Sequence, residues 1–227
     1  MIITILDTET TGFNKPEASV IEVALVKFST EHNDVIDVRS FLVESATTIQ
    51  KIESTKHIHG IHHELVFGYG ISWEKAQELI CTLITDSEAI LAHNSEFDKK
   101  WFTRPEIFEK PWVCTQDDIE WPNKSGSKAL VAVALAHGVG VVSAHRALDD
   151  VMTVAKLLKR VGESYDLEAM IRFGMRPKAL YQALVSYNDK ELARLAGFKW
   201  DAPTKTWTKR MAIEDALKLN FKIKEIK

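Results

Sequence analysis

Apolar positions along this chain fall into two rhythms, one of short unbroken or alternating runs and one of helical spacing. Ile2–Leu6 is a short apolar run and predicts a buried strand. Ser19–Ser29 ("SVIEVALVKFS") and Val35–Val43 ("VIDVRSFLV") are rich in β-branched residues and predict two more strands. From Trp73 to Ile84 the spacing turns helical, through Trp73, Ala76, Leu79, Ile80 and Leu83, with Ser72 as the N-cap. Ala89–Ala92 predicts a strand, and Asn94 is placed to cap a helix whose apolar positions are Phe97, Trp101 and Phe102. Trp112–Cys114 predicts another strand, and Ser127–His137 and Ala147–Val161 predict helices. Strands first, then strands alternating with helices, predict an α/β domain with a mixed sheet flanked by helices.

The pattern changes near Gly162–Gly174. Beyond it come a strand over Lys178–Ser186, a helix over Asp189–Ala196 capped by Asp189, a hairpin through "FKWDAPTKTWTK", a helix over Ile213–Leu219 and a strand over Phe221–Ile226. The division predicted is a domain over residues 1–165 and a small basic α+β module over 175–227, near the lower size limit for independent folding. No internal repeat or low-complexity segment interrupts it.

Composition narrows the class. Hydrophobic residues make up 45% and charged residues 27% of 227, which is ordinary for a globular protein and excludes a disordered chain. The longest unbroken apolar run, Ala129–Ala136, is far too short to span a membrane, so no membrane partner is expected. "MIITILDTET" lacks a basic n-region and reads as a strand rather than a signal peptide. Two cysteines, Cys81 and Cys114, suggest no disulfide framework or Cys-based zinc site, and a cytoplasmic location is expected. The net charge of -3 hides an asymmetry: residues 175–227 carry 12 basic and 6 acidic side chains, leaving 17 and 26 for residues 1–174. An acidic body can hold divalent cations, and a basic module can hold phosphates.

The chemistry concentrates where acids meet the ends of apolar elements. In Ser143–Asp150, "SAHRALDD", two aspartates open the helix ending at Val161. At ~100° per residue, Asp149 falls in the middle of the polar face with Lys156 and Arg160, whereas Asp150 falls on the edge of the buried stripe. Asp150 therefore needs a partner or a metal, and His145 lies on the loop beside it. "LDTETTG" places Asp7 and Glu9 on one face at the end of the first strand. "LAHNSEFDKKW" places Asp98 at a helix start. Four carboxylates in one place would suit two hard divalent ions with oxygen ligands.

These segments resemble the three motifs of the DEDD exonucleases of the ribonuclease H-like superfamily, in the subgroup with a histidine in the third motif (DEDDh). They are Asp7-Thr8-Glu9-Thr10-Thr11-Gly12, His93-Asn94-Ser95-Glu96-Phe97-Asp98 and His145-Arg146-Ala147-Leu148-Asp149-Asp150, in order over roughly residues 1–160. The family's histidine-to-aspartate spacing of five selects Asp150, in agreement with the helix argument. The resemblance implies a ribonuclease H-like fold and removal of nucleotides from 3′ ends as nucleoside 5′-monophosphates. It implies two Mg²⁺ or Mn²⁺ ions per site: Asp7 bridging both, Glu9 and Asp150 at the nucleophile's ion, Asp98 at the second. His145 would be the general base, a suitable type because an unperturbed imidazole titrates near ~6.5. Thr10, Thr11 and Gly12 would pass close to the terminal nucleotide, Phe13 would stack on its base, and His93 and Asn94 would shape the pocket. Single-stranded DNA, or the 3′ ends of DNA, is the expected partner. An RNA 3′ exonuclease and a polymerase proofreading subunit are the alternatives within the class, and whether the chain forms a homodimer is left open. A nucleic-acid-binding scaffold without catalysis is the competing class, and metal-dependent turnover separates the two.

Other segments carry plainer expectations. Asp149 should be solvated, and Asp117 and Asp118 should cap the next element. His57, His59, His62 and His63 fit no standard zinc spacing and are expected to be structural or part of a lid. Cys81 should lie in the core. Trp200 and Trp207 sit among Lys199, Lys205, Lys209 and Arg210, as core aromatics of a small module or as a stacking and phosphate-gripping surface.

Overall fold

The structure, a computed structural model, describes residues 1–44 and 47–226. It divides into two compact units, Met1–Met175 and Arg176–Lys227.

The first unit opens with β1 (Ile2–Thr10), β2 (Val20–Ser29) and β3 (Asp34–Glu44), each antiparallel to the last. Then come α1 (Ile49–His59), α2 (His63–Tyr69), β4 (Ile71–Ser72), α3 (Trp73–Leu83), β5 (Ala89–Ala92), α4 (Ser95–Lys99) and α5 (Pro105–Phe108). The unit closes with β6 (Trp112–Cys114), α6 (Leu130–Ala136), α7 (Ala147–Gly162) and α8 (Leu167–Gly174). The strand order is β4-β3-β2-β1-β5-β6, with β5 parallel to β1, β6 to β5 and β4 to β3. It is a mixed sheet flanked by helices, as the alternation of patterns predicts.

The period of two along the strands assigns each face its helix. Ile3, Ile5, Ala24, Val26 and Phe28 form one core with Val151, Val154 and Leu158 of α7. Leu6, Val23 and Leu25 form the other with Ala76 and Ile80 of α3 and with Trp101 and Phe102. Each fully buried Leu, Ile or Phe stabilises by about 1.5–3 kcal/mol relative to exposure, so the first core fixes where α7 lies on the sheet and the second where α3 lies.

Several boundaries differ from the sequence reading. β1 continues past Leu6 to Thr10 because its polar half is held in the ladder with β2, where Glu9 opposes Glu22 and the register shifts between Glu9 and Thr10. Such a bulge re-aims side chains at the end of a strand. α6 begins only at Leu130, because Ser127 Oγ accepts from the Ala129 backbone and holds a local turn before it. Asn94 occupies the cap position of α4 in the left-handed conformation, with no side-chain cap bond. Asp189 likewise makes no cap bond to its helix and accepts from Ser186 Oγ at 2.6 Å. The stretch where the pattern changes contains α8, whose Leu167 and Ile171 lie in the core of the first unit. Among the described residues no helix is long and apolar enough to cross a membrane.

The second unit comprises β7 (Lys178–Ala183), α9 (Lys190–Leu195), β8 (Lys199–Asp201), β9 (Thr206–Ala212), α10 (Ile213–Ala216) and β10 (Ile223–Ile226). Its sheet is antiparallel in the order β10-β7-β9-β8. Tyr181, Ala183, Ala193, Phe198, Met211 and Ala216 form a small core of its own, with Trp207 packed against it. Trp200 lies opposite Trp207 on the edge strand, ring centroids 5.6 Å apart, and stays half exposed.

Candidate active site

Asp7 and Glu9 continue the row begun by Ile3 and Ile5, so the alternation that buries those isoleucines under α7 turns both carboxylates toward the same helix. Asp150 projects from the first turn of α7. One carboxylate oxygen each from Asp7, Glu9 and Asp150 can lie within 4.8 Å of the others. Asp149 and Asp150 are both half-buried, contrary to the expectation of a solvated Asp149; what separates them is that only Asp150 reaches the group.

Asp98 comes from α4 and is 1% exposed. Its Oδ1 accepts from the Thr8 amide at 3.0 Å and from Thr8 Oγ1 at 2.7 Å. Thr8 lies between Asp7 and Glu9 on the opposite face of β1, so one strand holds Asp98 with one face and offers its own acids with the other.

Burial and mutual repulsion leave these acids reluctant to ionise. Asp7 is held well above the usual carboxylate range by burial first, then by the charges of Asp98, Asp150, Glu9 and Glu22. Glu9 is pushed up to about 8 by burial and by Asp150. Asp98 is pushed up to about 7 by burial, against the lowering bonds from Thr8. Burial also raises Asp150, opposed by His145 through its charge and its backbone N–H. A cluster of carboxylates in this condition is a site for positive charge, and its all-oxygen donor set fits hard divalent cations.

Glu22 is a fifth acid beside the group, and the sequence reading does not single it out. It is 2% exposed and opposes Glu9 across the ladder. Its carboxylate accepts from Arg146 Nε at 3.0 Å, Arg146 Nη2 at 2.6 Å and the Ala147 amide at 3.1 Å. A strand carboxylate thus meets the N-terminus of α7 and the residue following His145. His145 itself is exposed, with φ at 64°, a left-handed conformation uncommon outside glycine. The available signal was a lone glutamate inside the apolar run "VIEVALV".

The rim holds the remaining motif residues. Thr10 Oγ1 donates to the Gly12 carbonyl at 2.7 Å, and Thr11 Oγ1 accepts from the Ser19 amide at 3.0 Å. Both hydroxyls thereby shape the loop. Phe13 is 73% exposed, its ring edge-on to Phe97 at 6.3 Å, and Lys100 Nζ donates to its carbonyl. His93 Nε2 lies 2.9 Å from the Lys128 carbonyl and Nδ1 3.0 Å from Thr115 Oγ1. A carbonyl only accepts, so Nε2 carries the proton and both ring nitrogens are engaged in holding structure. Asn94 is exposed. Gly12 has φ at 151°, and a Cβ there would stand 3.2 Å from Ala18 Cβ. Gly12→Ala should therefore destabilise the first unit by about 1–3 kcal/mol. A thermal melt checks this, and an unchanged midpoint would contradict the strain.

Two histidines of the run hold local structure, and His63 also stands with Glu53 and Glu64 in a group whose ligand atoms lie within 4.8 Å of one another. His59 is buried, its Nδ1 accepting from the Ile61 amide at 3.0 Å, while His63 Nδ1 pairs with Glu53 at 2.7 Å. Cys81 is half-buried rather than fully in the core. Asp118 accepts from the Cys114 amide and Asp117 pairs with Lys128.

A family model described as Exonuclease (RNase_T) matches residues 4–158, and one described as a domain of unknown function matches residues 179–226. No curated protein matches the chain. Among solved structures, exonuclease X in complex with 5′ overhanging duplex DNA is 23% identical, with a TM-score of 0.57 over 76% of this chain and 99% of that one. The zinc-bound E. coli exonuclease I–ssDNA complex is 16% identical, with a TM-score of 0.61 over 97% of this chain and 68% of that one. The nuclease domain of 3′hExo, a DEDDh family member bound to rAMP, is 14% identical, with a TM-score of 0.56 over 73% and 94%. These likenesses show the ribonuclease H-like fold.

Proposed function

This chain belongs to the exonuclease family, and on that premise we propose that it removes nucleotides from the 3′ ends of DNA by metal-assisted hydrolysis, releasing nucleoside 5′-monophosphates. The observation that carries the proposal is the convergence of Asp7, Glu9 and Asp150, from β1 and α7, beside the buried Asp98. DNA is favoured as substrate by its presence in the exonuclease X and exonuclease I structures.

Asp7, Glu9 and Asp150 would hold Mg²⁺ or Mn²⁺, with Asp98 contributing to a second ion. Two such cations, when bound, would supply Lewis acidity that lowers the pKa of a water and stabilises the charge on the leaving 3′ oxygen. His145, exposed beside Asp150, receives the proton of the attacking water. The Glu22–Arg146 pair holds the loop that carries His145, which preserves its reach to the reacting atoms. The exposed ring of Phe13 offers a face to the terminal base, and the Thr10–Gly12 turn sets where that ring stands. The first unit, residues 1–175, carries the chemistry, and the small second unit, residues 176–227, holds nucleic acid.

The test uses strands labelled at the 3′ or the 5′ end, DNA and RNA in parallel, with Mg²⁺ or Mn²⁺. Stepwise loss from the 3′ end by the wild type and a fall of roughly 10³-fold or more in Asp150→Ala are expected. Faster cleavage of RNA would correct the substrate. No hydrolysis of either by folded protein would overturn the proposal in favour of a scaffold.

A further inference from the structure

The sheet of the second unit has two unlike faces. Directly opposed residues of antiparallel strands share a face. Tyr181, Ala183, Trp207 and Met211 lie on the face covered by α9 and α10, where they join Ala193 and Ala216 in the core. On the other face the register sets Lys224, Gln182, Thr208 and Lys199 in one row across β10, β7, β9 and β8. The adjoining row is Ile226, Leu180 and Arg210, with Lys178 one step further along β7. None of these residues belongs to the core of the unit, and Lys199, Arg210 and Lys224 are exposed. The described strands give this face four cations against one acid, Asp201, whose carboxylate accepts from Thr204.

The structure also redistributes the basic residues that the sequence groups together. Lys209 lies on the helix-covered face, its Nζ donating to the Ala196 carbonyl at 2.7 Å, and Trp207 packs on the core. Lys178 and Lys224, distant in sequence from "KWDAPTKTWTKR", take their places on the open face. Strands lie ~4.8 Å apart, so Lys224 and Lys199 stand three spacings from each other, far enough to meet different phosphates of one strand.

We propose that this open sheet face binds the sugar–phosphate backbone of a single-stranded nucleic acid. Lys199, Lys224 and Arg210 meet phosphates, and Gln182 and Thr208 donate to phosphate or sugar oxygens between them. Leu180, 38% exposed, offers apolar contact without reading base edges, so little sequence preference follows. The polyanion is specified by charge complementarity; its identity as nucleic acid rests on the exonuclease reading of the first unit.

The experiment uses the full chain in chelator, where strands stay intact, and follows binding of a fluorescein-labelled oligothymidylate by anisotropy across a salt series. Lys199→Gln/Lys224→Gln should weaken binding about tenfold at moderate salt and reduce the salt slope by about 1.4, at ~0.7 per phosphate contact. Arg210→Gln, a single exposed change, should reduce the slope by about half as much. Lys190→Gln/Lys218→Gln, the same charge change on the helix side, should leave affinity and slope unchanged. The proposal is overturned if the wild type does not bind, if the face variants match the wild type, or if both double variants lose equally. Hydrolysis of the nitrophenyl ester of thymidine 5′-monophosphate with Mg²⁺ reads the first unit separately. Binding contrast without hydrolysis would sink the exonuclease reading and keep the face as a site for anionic strands, whereas hydrolysis without the contrast would sink the face alone.

Discussion

Asp7→Asn should abolish hydrolysis and yet leave the metal-free protein more stable than the wild type at alkaline pH. Asp7 is raised by burial and by the charges of Asp98, Asp150, Glu9 and Glu22, so in the absence of cations its ionised form is disfavoured in the fold. An amide keeps the shape and removes the charge. The wild type carries the corresponding pH dependence. In the unfolded chain carboxyls titrate near pH ~4, whereas Glu9 in the fold titrates at about 8 and Asp98 at about 7. Between those limits the native state binds more protons than the unfolded state. The metal-free wild type should therefore be most stable below the window and lose stability as pH rises through it. Mg²⁺ binding the native state alone reverses the loss, more strongly at about pH 8 than at about pH 5. Thermal melts of both proteins, with chelator and with Mg²⁺, check this, at about 2–4 °C per kcal/mol. An Asp7→Asn protein that melts below the wild type in chelator at high pH would show that the cluster is not under repulsion. A rate loss under about 10³-fold would remove Asp7 from the chemistry.

Glu22→Gln should lower kcat by about 10²-fold, with a smaller change in KM, although Glu22 is not among the three acids whose ligand atoms converge. Its carboxylate receives three bonds, two from Arg146 and one from the Ala147 amide, and so fixes the loop bearing His145 to β2. An amide oxygen can keep the bond from Ala147 but cannot match the guanidinium fork. The stability effect is the difference of two opposing changes, since the charge of Glu22 also raises Asp7 and Glu9. Rate is the cleaner readout. A double-mutant cycle with Arg146→Gln isolates the pair: the double variant should be little slower than either single one. Additive losses would mean that the two residues act separately.

Much of the site is legible in the sequence because it is local. The i, i+2 spacing of Asp7 and Glu9 on a strand, and the position of Asp150 at the edge of a helical stripe, follow from backbone periods alone. The mixed sheet follows from the order of the two rhythms, and Ser72 caps α3 as its residue type predicts, accepting from the Lys75 amide. Where local chemistry misled, a nearer or more distant partner took over. Asn94 and Asp189 sit at cap positions without capping, and the polar half of β1 stays a strand because Glu9 has a cross-strand neighbour in Glu22. His93 belongs to a motif, yet its ring bonds Thr115 and Lys128, residues that periodicity does not connect to it.

By itself the sequence determined the first three strands, the later alternation of strands with α3 and α7, and the placing of Asp7, Glu9 and Asp150 at the ends or edges of those elements, since each rests on a period within one element. The division of charge it gave by composition alone, and it left α1, α2, α5 and α8 unpredicted. Only the tertiary structure decided that Glu22 would hold Arg146 across 124 residues, that Thr8 would hold Asp98, and that Lys209 and Trp207 would turn away from the open face while Lys178 and Lys224 joined it. Those outcomes depend on strand register. A shift of one residue sends every side chain to the opposite face, and register is set by packing of whole elements rather than by any local pattern.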